Sequence, residues 1–429
     1  MSIEDRANKT LDDEISSKKE TYTFLAEKLK KQAIEMLNRI EHLSFPFLVM
    51  INEKLFNDNQ LHLTRENFPL GSVEQLIAKE RKQGFVIKEQ ELLDFAAQGA
   101  LALAFLHKHK ISAQISLSNV FIANDCTYEQ NMRNFGEVLF ALAELQMLCD
   151  PIQFIILPYG PTRNLILQLL DKDLKQRPNA EQFLAKPEIQ DRIRTWVMDP
   201  MKFLPKTQVI SAQTQFSSYR AYLAQLMIEI SDASADKKLI LAQQGEFDQL
   251  AKVLKWAHQQ SNDLARPLQE WVCQCVECLI DENSQTAKIG FQTEIFHQIQ
   301  LLAGNYLDID EVKFVHINSL KLFTTFGSDE DKKTMFDMGV VQSIKRNLQG
   351  KVDVAEKTAA AIVNIISSLN RSTKDLEQHI SFQTFNQNGV ITSLFEDGIL
   401  NAKSENIGKM ISEGIGWLYK AEPIPIEIK

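Results

Sequence analysis

The chain has 429 residues, enough for two to three domains that each bury a core without disulfides or metal clips. Its 47 Lys and Arg against 56 Asp and Glu leave a net charge of −9, which excludes a groove that works by neutralising many phosphates, and hence a general nucleic-acid binder. With 44% hydrophobic and 24% charged residues it should fold as a globular chain, and 16 Gly and 12 Pro weigh against turn-rich β folds and Gly-rich phosphate loops.

Residues 1–27 are polar and charged and read as an N-terminal arm. They show no apolar signal core, and five cysteines in so long a chain do not make a disulfide framework, so a reducing, cytoplasmic compartment is expected. The longest apolar runs, such as Phe154–Leu157, fall far short of the ~20 residues that cross a bilayer, so no membrane insertion is expected. Residues 28–43 place Leu29, Ala33, Met36, Leu37 and Ile40 at a helical period, and FLVMI and QLHLT after them read as short strands. Residues 88–109 carry the stripe Leu92, Phe95, Ala96, Gly99, Leu103 and Leu106, wide enough for a buried helix.

Residues 193–215 contain Pro200 and Pro205 and then a run rich in Gln, Thr and Ser, which suits a linker. From 216 to 421 the periodicity is almost wholly helical and repeats itself. Gly245 leads Phe247, Leu250 and Leu254; Gly339 leads Val340, Val341, Ile344 and Leu348; Gly389 leads Val390, Ile391 and Leu394. A weaker copy follows Gly290, with Ile295, Ile299 and Leu302. A unit of two or three helices cannot bury its own apolar face, so units recurring every ~45–50 residues should stack into one continuous core. Each glycine ends one helix in a left-handed turn and lets the next start at a sharp angle. The pattern resembles armadillo or HEAT repeats, about four of them.

The region 33–188 can be laid along a protein-kinase scaffold. Ser44-Phe45-Pro46-Phe47-Leu48-Val49 is similar to the turn after the regulatory helix, and Asn59–Leu63 with Gly71–Ile77 to the strand, hinge and helix beyond it. Leu103–Ile111 is similar to the end of the large lobe's central helix, and Leu169–Leu184, with Arg177-Pro178, to the signature near the lobe's end. The best resemblance is to Ser/Thr kinases of the NIMA-related type. With the repeats, the layout resembles the Ser/Thr kinase-like domain-containing family of pseudokinases.

That resemblance says where the chemistry of phosphoryl transfer should stand. No Gly precedes Gly71, so a glycine-rich loop is lacking and the segment ahead of the regulatory helix leaves no room for three strands. The regulatory Glu position falls on Met36, beside Glu35. Ser112–Asn119 replaces HRDLKPEN, with Gln114 where a base should stand and a neutral amide unable to act as one. Asn119 alone matches, and a single amide does not hold magnesium. Asn134-Phe135-Gly136 fits the helix after the activation segment better than a metal-binding turn, and Asn131 replaces the Asp of that helix's start.

The expected fold is therefore mainly α: an arm over 1–27; a degenerate kinase-like domain with a truncated small lobe over 28–192; a linker over 193–215; an armadillo/HEAT-like α-solenoid over 216–421; and an extended tail over 422–429. No catalytic, cofactor-binding or metal-binding residue is expected, nor ATP, nor enzymatic activity. The expected role is a scaffold that binds other proteins in a multi-subunit assembly, and the resemblance implies a cilium or axoneme. The alternatives are a trafficking adaptor with HEAT repeats and a nucleotide-binding regulator of a true kinase.

Other constellations carry structural expectations. Cys273, Cys275 and Cys278 lie in an apolar helical stretch without a fourth soft ligand nearby, with Cys275 and Cys278 on one face, and read as small buried thiols. His107 and His109 should cap a helix end. Lys237-Lys238 and Lys332-Lys333 read as solvated loop charges, and Trp256, Trp271 and Trp417 as core. Pro423 and Pro425 forbid helix, and Ile424, Ile426 and Ile428 alternate, which suits an extended segment laid on a partner. Asn318 and Asn364 suggest peptide-binding amides, but no Trp pairs with them at the offset a basic-peptide receptor needs.

Overall fold

The computed structural model describes residues 18–23, 44–48, 51–57, 60–65, 72–75, 77–78, 89–111, 113–115, 120–122, 128–148, 161–197, 212–260, 262–281, 283–370 and 382–420. They are mainly helical and fall into two compact units, residues 1–231 and 232–429. The helix read over 28–43, the apolar run 154–157, most of the linker and the tail 422–429 lie outside the described residues.

In the first unit, β1 (Lys18–Thr23), β2 (Ile51–Asn57) and β3 (Gln60–Arg65) form an antiparallel sheet in the order β1-β3-β2. β3 holds QLHLT, read as a strand from the sequence, but FLVMI is not the second strand: only Ile51 falls in β2, Phe47 and Leu48 lie in the turn of residues 44–48, and Val49 and Met50 lie outside the described residues. β1 corrects the reading of residues 1–27 as an arm alone: Lys18 pairs with Arg65 and Thr23 with Gln60. The polar run KKETYT has no apolar alternation to announce a strand, and it stands at the sheet edge, where charge and polarity are tolerated.

The helical part is built on α1 (Glu89–Lys108), whose buried side chains run from Leu92 to Leu106. A hairpin follows, β4 (Ala113–Ile115) with β5 (Val120–Ile122), then α2 (Tyr128–Leu148), α3 (Pro161–Leu169), α4 (Ala180–Leu184), α5 (Pro187–Val197) and α6 (Ala212–Ser231). α1 and α2 meet where Gly99 lies under the Phe135 ring; a Cβ there would stand 2.4 Å from that ring. Phe45 is fully buried and stacks on Phe105 at 4.2 Å, which docks residues 44–48 on α1. α6 packs on α1 and α5 and so belongs to this unit rather than to the repeats. The Lys108 ammonium donates to the Ile228 carbonyl at 2.8 Å, satisfying a last-turn acceptor of α6. Arg220 donates to the Pro46 carbonyl and lies 4.7 Å above the Phe47 ring.

The second unit repeats one motif four times: a short first helix, a second helix and a longer third. The first repeat is α7 (Ala235–Gln243), α8 (Glu246–Ala257) and α9 (Asn262–Ile280); the second is α10 (Ser284–Phe291), α11 (Glu294–Leu301) and α12 (Phe314–Phe326). The third is α13 (Asp329–Asp337), α14 (Val340–Ile344) and α15 (Val352–Asn370); the fourth is α16 (Phe382–Gln387), α17 (Val390–Phe395) and α18 (Glu405–Leu418). The third helices pack in order, α9 on α12, α12 on α15 and α15 on α18, an arrangement consistent with an α-solenoid. The apolar residues read as helix starts after each glycine are all buried.

Gly245, Gly339 and Gly389 each stand at positive φ ahead of a second helix, at +94°, +74° and +64°. Gly290 does not: it lies inside α10, and the corresponding turn ends at Thr293, whose hydroxyl caps α11. Its role is spatial, because a Cβ there would meet the Phe247 and Phe323 rings at 3.0–3.1 Å. Nothing lies within 4 Å of a Cβ built on Gly339, so Gly339→Ala isolates the backbone effect. It should lower stability by about 1–2 kcal/mol, read as a fall in urea midpoint; an unchanged midpoint would refute the left-handed turn.

Side-chain bonds between repeats bridge one period. Gln300 to the Met338 carbonyl spans 38 residues, Lys313 to Glu270 43, Asn347 to the Ala303 carbonyl 44, and Ser404 to Glu356 48. This is the pattern of a stack in which each repeat touches its neighbours.

Candidate functional site

The row of third helices presents a polar strip over an apolar base. Helical period puts Val272, Val276 and Leu279 of α9 and Ile317, Leu320 and Phe323 of α12 in the core, which turns Gln274 and Glu277, and Asn318 and Lys321, outward. On α15, Ile362, Ile365 and Ile366 are buried, and Lys357, Ala360 and Asn364 share the half-buried side.

The strip is wired across helices. Lys313 Nζ lies 2.6 Å from Glu270 Oε1. Asn318 donates to the Glu277 carboxylate, whose Oε1 is buried and accepts no bond. Burial pushes the Glu277 carboxyl up to about 8, against the Asn318 hydrogen bond and the Lys357 charge, both of which favour ionisation. Lys357 Nζ stands 5.1 Å from the Phe314 ring centroid. Burial and the neighbouring Lys357 charge hold the Lys321 ammonium below its usual range. Asn364 Nδ2 donates to Thr324 Oγ1 and Thr325 Oγ1, both at 3.2 Å.

Of the side chains singled out in the sequence, Cys273 and Cys275 are fully buried, so α9 is covered on both faces rather than on the Cys275–Cys278 side alone; Cys278 is partly covered. Burial raises all three thiols, Cys278 to about 11, so none is a thiolate nucleophile at neutral pH. Among the described residues no group of three or more His, Cys, Asp or Glu is placed to hold a metal ion. His109 Nδ1 donates to the Phe105 carbonyl at 2.8 Å and caps α1, while His107 Nε2 lies 3.2 Å from Asn131 Oδ1. Lys238 is not a solvated loop charge: it is buried in α7 and paired with Asp281 at 2.5 Å. Trp271 is core, whereas Trp417 is exposed on α18. Sequence reasoning passed over Glu277, Lys321 and Lys357; a carboxylate inside the apolar run LQEWVCQCVECLI was the available signal.

In the first unit, Gln114 lies in β4 opposite Phe121 of β5, and Asn119, between the strands, falls outside the described residues, as do Glu35 and Met36. Asn131 is buried in α2. Asn134-Phe135-Gly136 is interior to α2, with Gly136 packed on Leu169, so it is helix and not a metal-binding turn. Arg177 is buried, and its guanidinium donates to the Asp171 carbonyl at 2.7 Å. That bond folds the segment ahead of α4, and Asp171 and Asp173 accept from the backbone two residues on.

No family model matches the chain. Over 149 residues, 32% of its length, it is 26% identical to Wee1-like protein kinase 2 of Xenopus tropicalis. The chain spans about a quarter, 26%, of that protein's length. The likeness points to a kinase-like region in part of the chain, and it overturns the expectation that the chain is not an enzyme, because the protein it is similar to is a protein kinase. The physical reason lies in what Gln114 proves: a neutral amide excludes that residue as a base and leaves every other group untouched. No helix among the described residues is long and apolar enough to cross a membrane.

Proposed function

We propose that the chain is a protein-binding scaffold in which a kinase-related region precedes an armadillo-like solenoid, with partners held along the row of third helices. The observation that carries this is the continuous stacking of α9, α12, α15 and α18, which sets half-buried polar side chains from successive repeats side by side on a rigid frame. The sheet order β1-β3-β2 and the Arg177-Pro178 turn support reading residues 18–197 as a reduced kinase fold. The binding role does not depend on whether that fold transfers phosphate, which labelled ATP and the full chain would report directly. Membership of an axonemal assembly rests on the resemblance to kinase-like domain-containing pseudokinases, and imaging of the tagged chain in ciliated cells would test it.

The decisive experiment is affinity purification of the full chain against two single variants. Ala360→Arg sets a long cation between Lys357 and Asn364 on α15, whereas Lys333→Ala trims an exposed side chain of α13, away from the row. Co-purifying proteins should be lost from the first and kept by the second. Identical sets from the parent and both variants would sink the scaffold reading.

A further inference from the structure

We propose that the cleft between the third and fourth repeats, floored by Leu348 and lined by Gln349, Asp397, Asn401 and Lys403, binds a guanidinium group joined to a carboxylate, the chemistry of free arginine and of a peptide's C-terminal arginine. The site lies beside the second helices and stands or falls independently of the row of third helices.

The preceding junction shows what occupies the matching place. There the turn Lys345–Gln349, which follows α14, sends two donors back to the second repeat: the Arg346 guanidinium to the Ala303 and Leu307 carbonyls, and the Asn347 amide to the Ala303 carbonyl at 3.1 Å. Counted from the left-handed glycines Gly339 and Gly389, these positions are Glu396 and Asp397 in the fourth repeat, so acceptors replace both donors. Beside them Gly398 leaves no room for a side chain, because a Cβ there would stand 2.9 Å from Ile411 of α18. The result is a cleft of about 250 Å³ where the earlier junction holds a guanidinium of its own.

The walls set the ligand's chemistry. Asp397 is half-buried on the π-helical turn Glu396–Leu400; its Oδ1 accepts from Gln349 Nε2 at 3.1 Å, and among the described residues nothing else bonds its carboxylate. The Lys345 ammonium is engaged by the Asn388 and Gly389 carbonyls at 3.0 and 3.1 Å, and no ion pair among the described residues joins Asp397 to Lys403. A carboxylate and an ammonium that share one cleft without pairing suit a ligand that carries a charge of each sign. A guanidinium fits the carboxylate because its planar fork donates hydrogen bonds in the geometry a carboxylate accepts. The apolar floor of Leu348, 1% exposed, suits the methylene stem. The volume falls below the roughly 300–1,000 Å³ of sites for drug-sized ligands, which limits the occupant to about one amino-acid residue.

The test is isothermal titration calorimetry of the full chain with four probes: L-arginine, L-citrulline, acetyl-Gly-Gly-Arg with a free C-terminus, and its C-terminal amide. Arginine or the free-acid peptide should bind with a dissociation constant below about 1 mM, and citrulline, which keeps the shape and lacks the charge, at least tenfold more weakly. The tighter of the two binders names the source, a small molecule or a peptide end. Asp397→Asn should lower affinity about tenfold, and Lys403→Gln should remove the preference of the free acid over the amide. Asp397→Arg, which places the chain's own guanidinium in the cleft, should abolish binding. Circular dichroism and the urea midpoint establish that the variants fold, and the citrulline comparison needs no variant. No binding by either arginine probe, equal binding of citrulline, or indifference to Asp397→Asn would each overturn the proposal.

Discussion

Replacing Phe323 by Ala should cost the second unit about 3–5 kcal/mol, the usual range for deleting a buried aromatic ring. Phe323 is fully buried on α12, meets Phe296 edge to face at 5.3 Å, and its ring lies against Gly290 with Phe247 of the preceding repeat. Its loss therefore opens a void at the junction of the first two repeats, between side chains that are themselves fully buried. The compensating variant is specific. Gly290→Ala alone overpacks that point, at about 1–3 kcal/mol, because its methyl needs space that the Phe323 and Phe247 rings occupy. Combined with Phe323→Ala, the methyl enters the void, so the double variant should be more stable than the sum of the two single losses predicts. Urea unfolding followed by circular dichroism measures all three; strict additivity would show that these groups do not share one site.

Glu277→Gln should remove a pH dependence that otherwise erodes stability on the alkaline side. The carboxyl is raised from 4.5 to about 8 by burial, so between those values the native form keeps a proton that the unfolded chain has released. Fewer protons on the unfolded state means that stability falls as pH rises through this window. His316 and His258 act in the opposite sense, since burial lowers them from 6.5 to about 3 and about 4. Below pH 6.5 the unfolded chain takes up protons that the folded imidazoles refuse, and stability falls as pH drops. The three groups together set a maximum near pH 6.5. Against the parent, Glu277→Gln should gain roughly 2–4 kcal/mol at pH 8.5 and almost nothing at pH 4, because Gln keeps the shape of the protonated acid. Urea midpoints from pH 4 to 9 give the comparison, and parallel curves for the two proteins would show that Glu277 ionises normally.

The repeats were legible wherever a glycine was needed for its backbone. Gly245, Gly339 and Gly389 mark turns because positive φ narrows the choice of residue, and that narrowing is visible in one sequence. Gly290 looked like a fourth copy and is a packing position, since the demand for a missing Cβ comes from rings 43 residues before and 33 after it in the chain, which a local pattern does not display. β1 was missed for the converse reason: its partner strand lies some 40 residues on, and nothing in KKETYT alternates. The capping of α4 by Asn179 and Gln182 was local and could have been read, as both reciprocal bonds form within four residues. Lys321 and Lys357 resisted detection because their meaning depends on helices 36 positions apart coming side by side; in sequence each is one more surface lysine. Lys238 misled in the same way, its carboxylate partner being Asp281.

Bonds that bridge one period also decide how the second unit bears load. None of these bonds reaches past the adjoining repeat, so tension applied along the row should meet a series of links. Such a series should yield one link at a time, each release paying out roughly 40–50 residues, about 150 Å of slack, with each link re-forming on its intact neighbour when the pull relaxes.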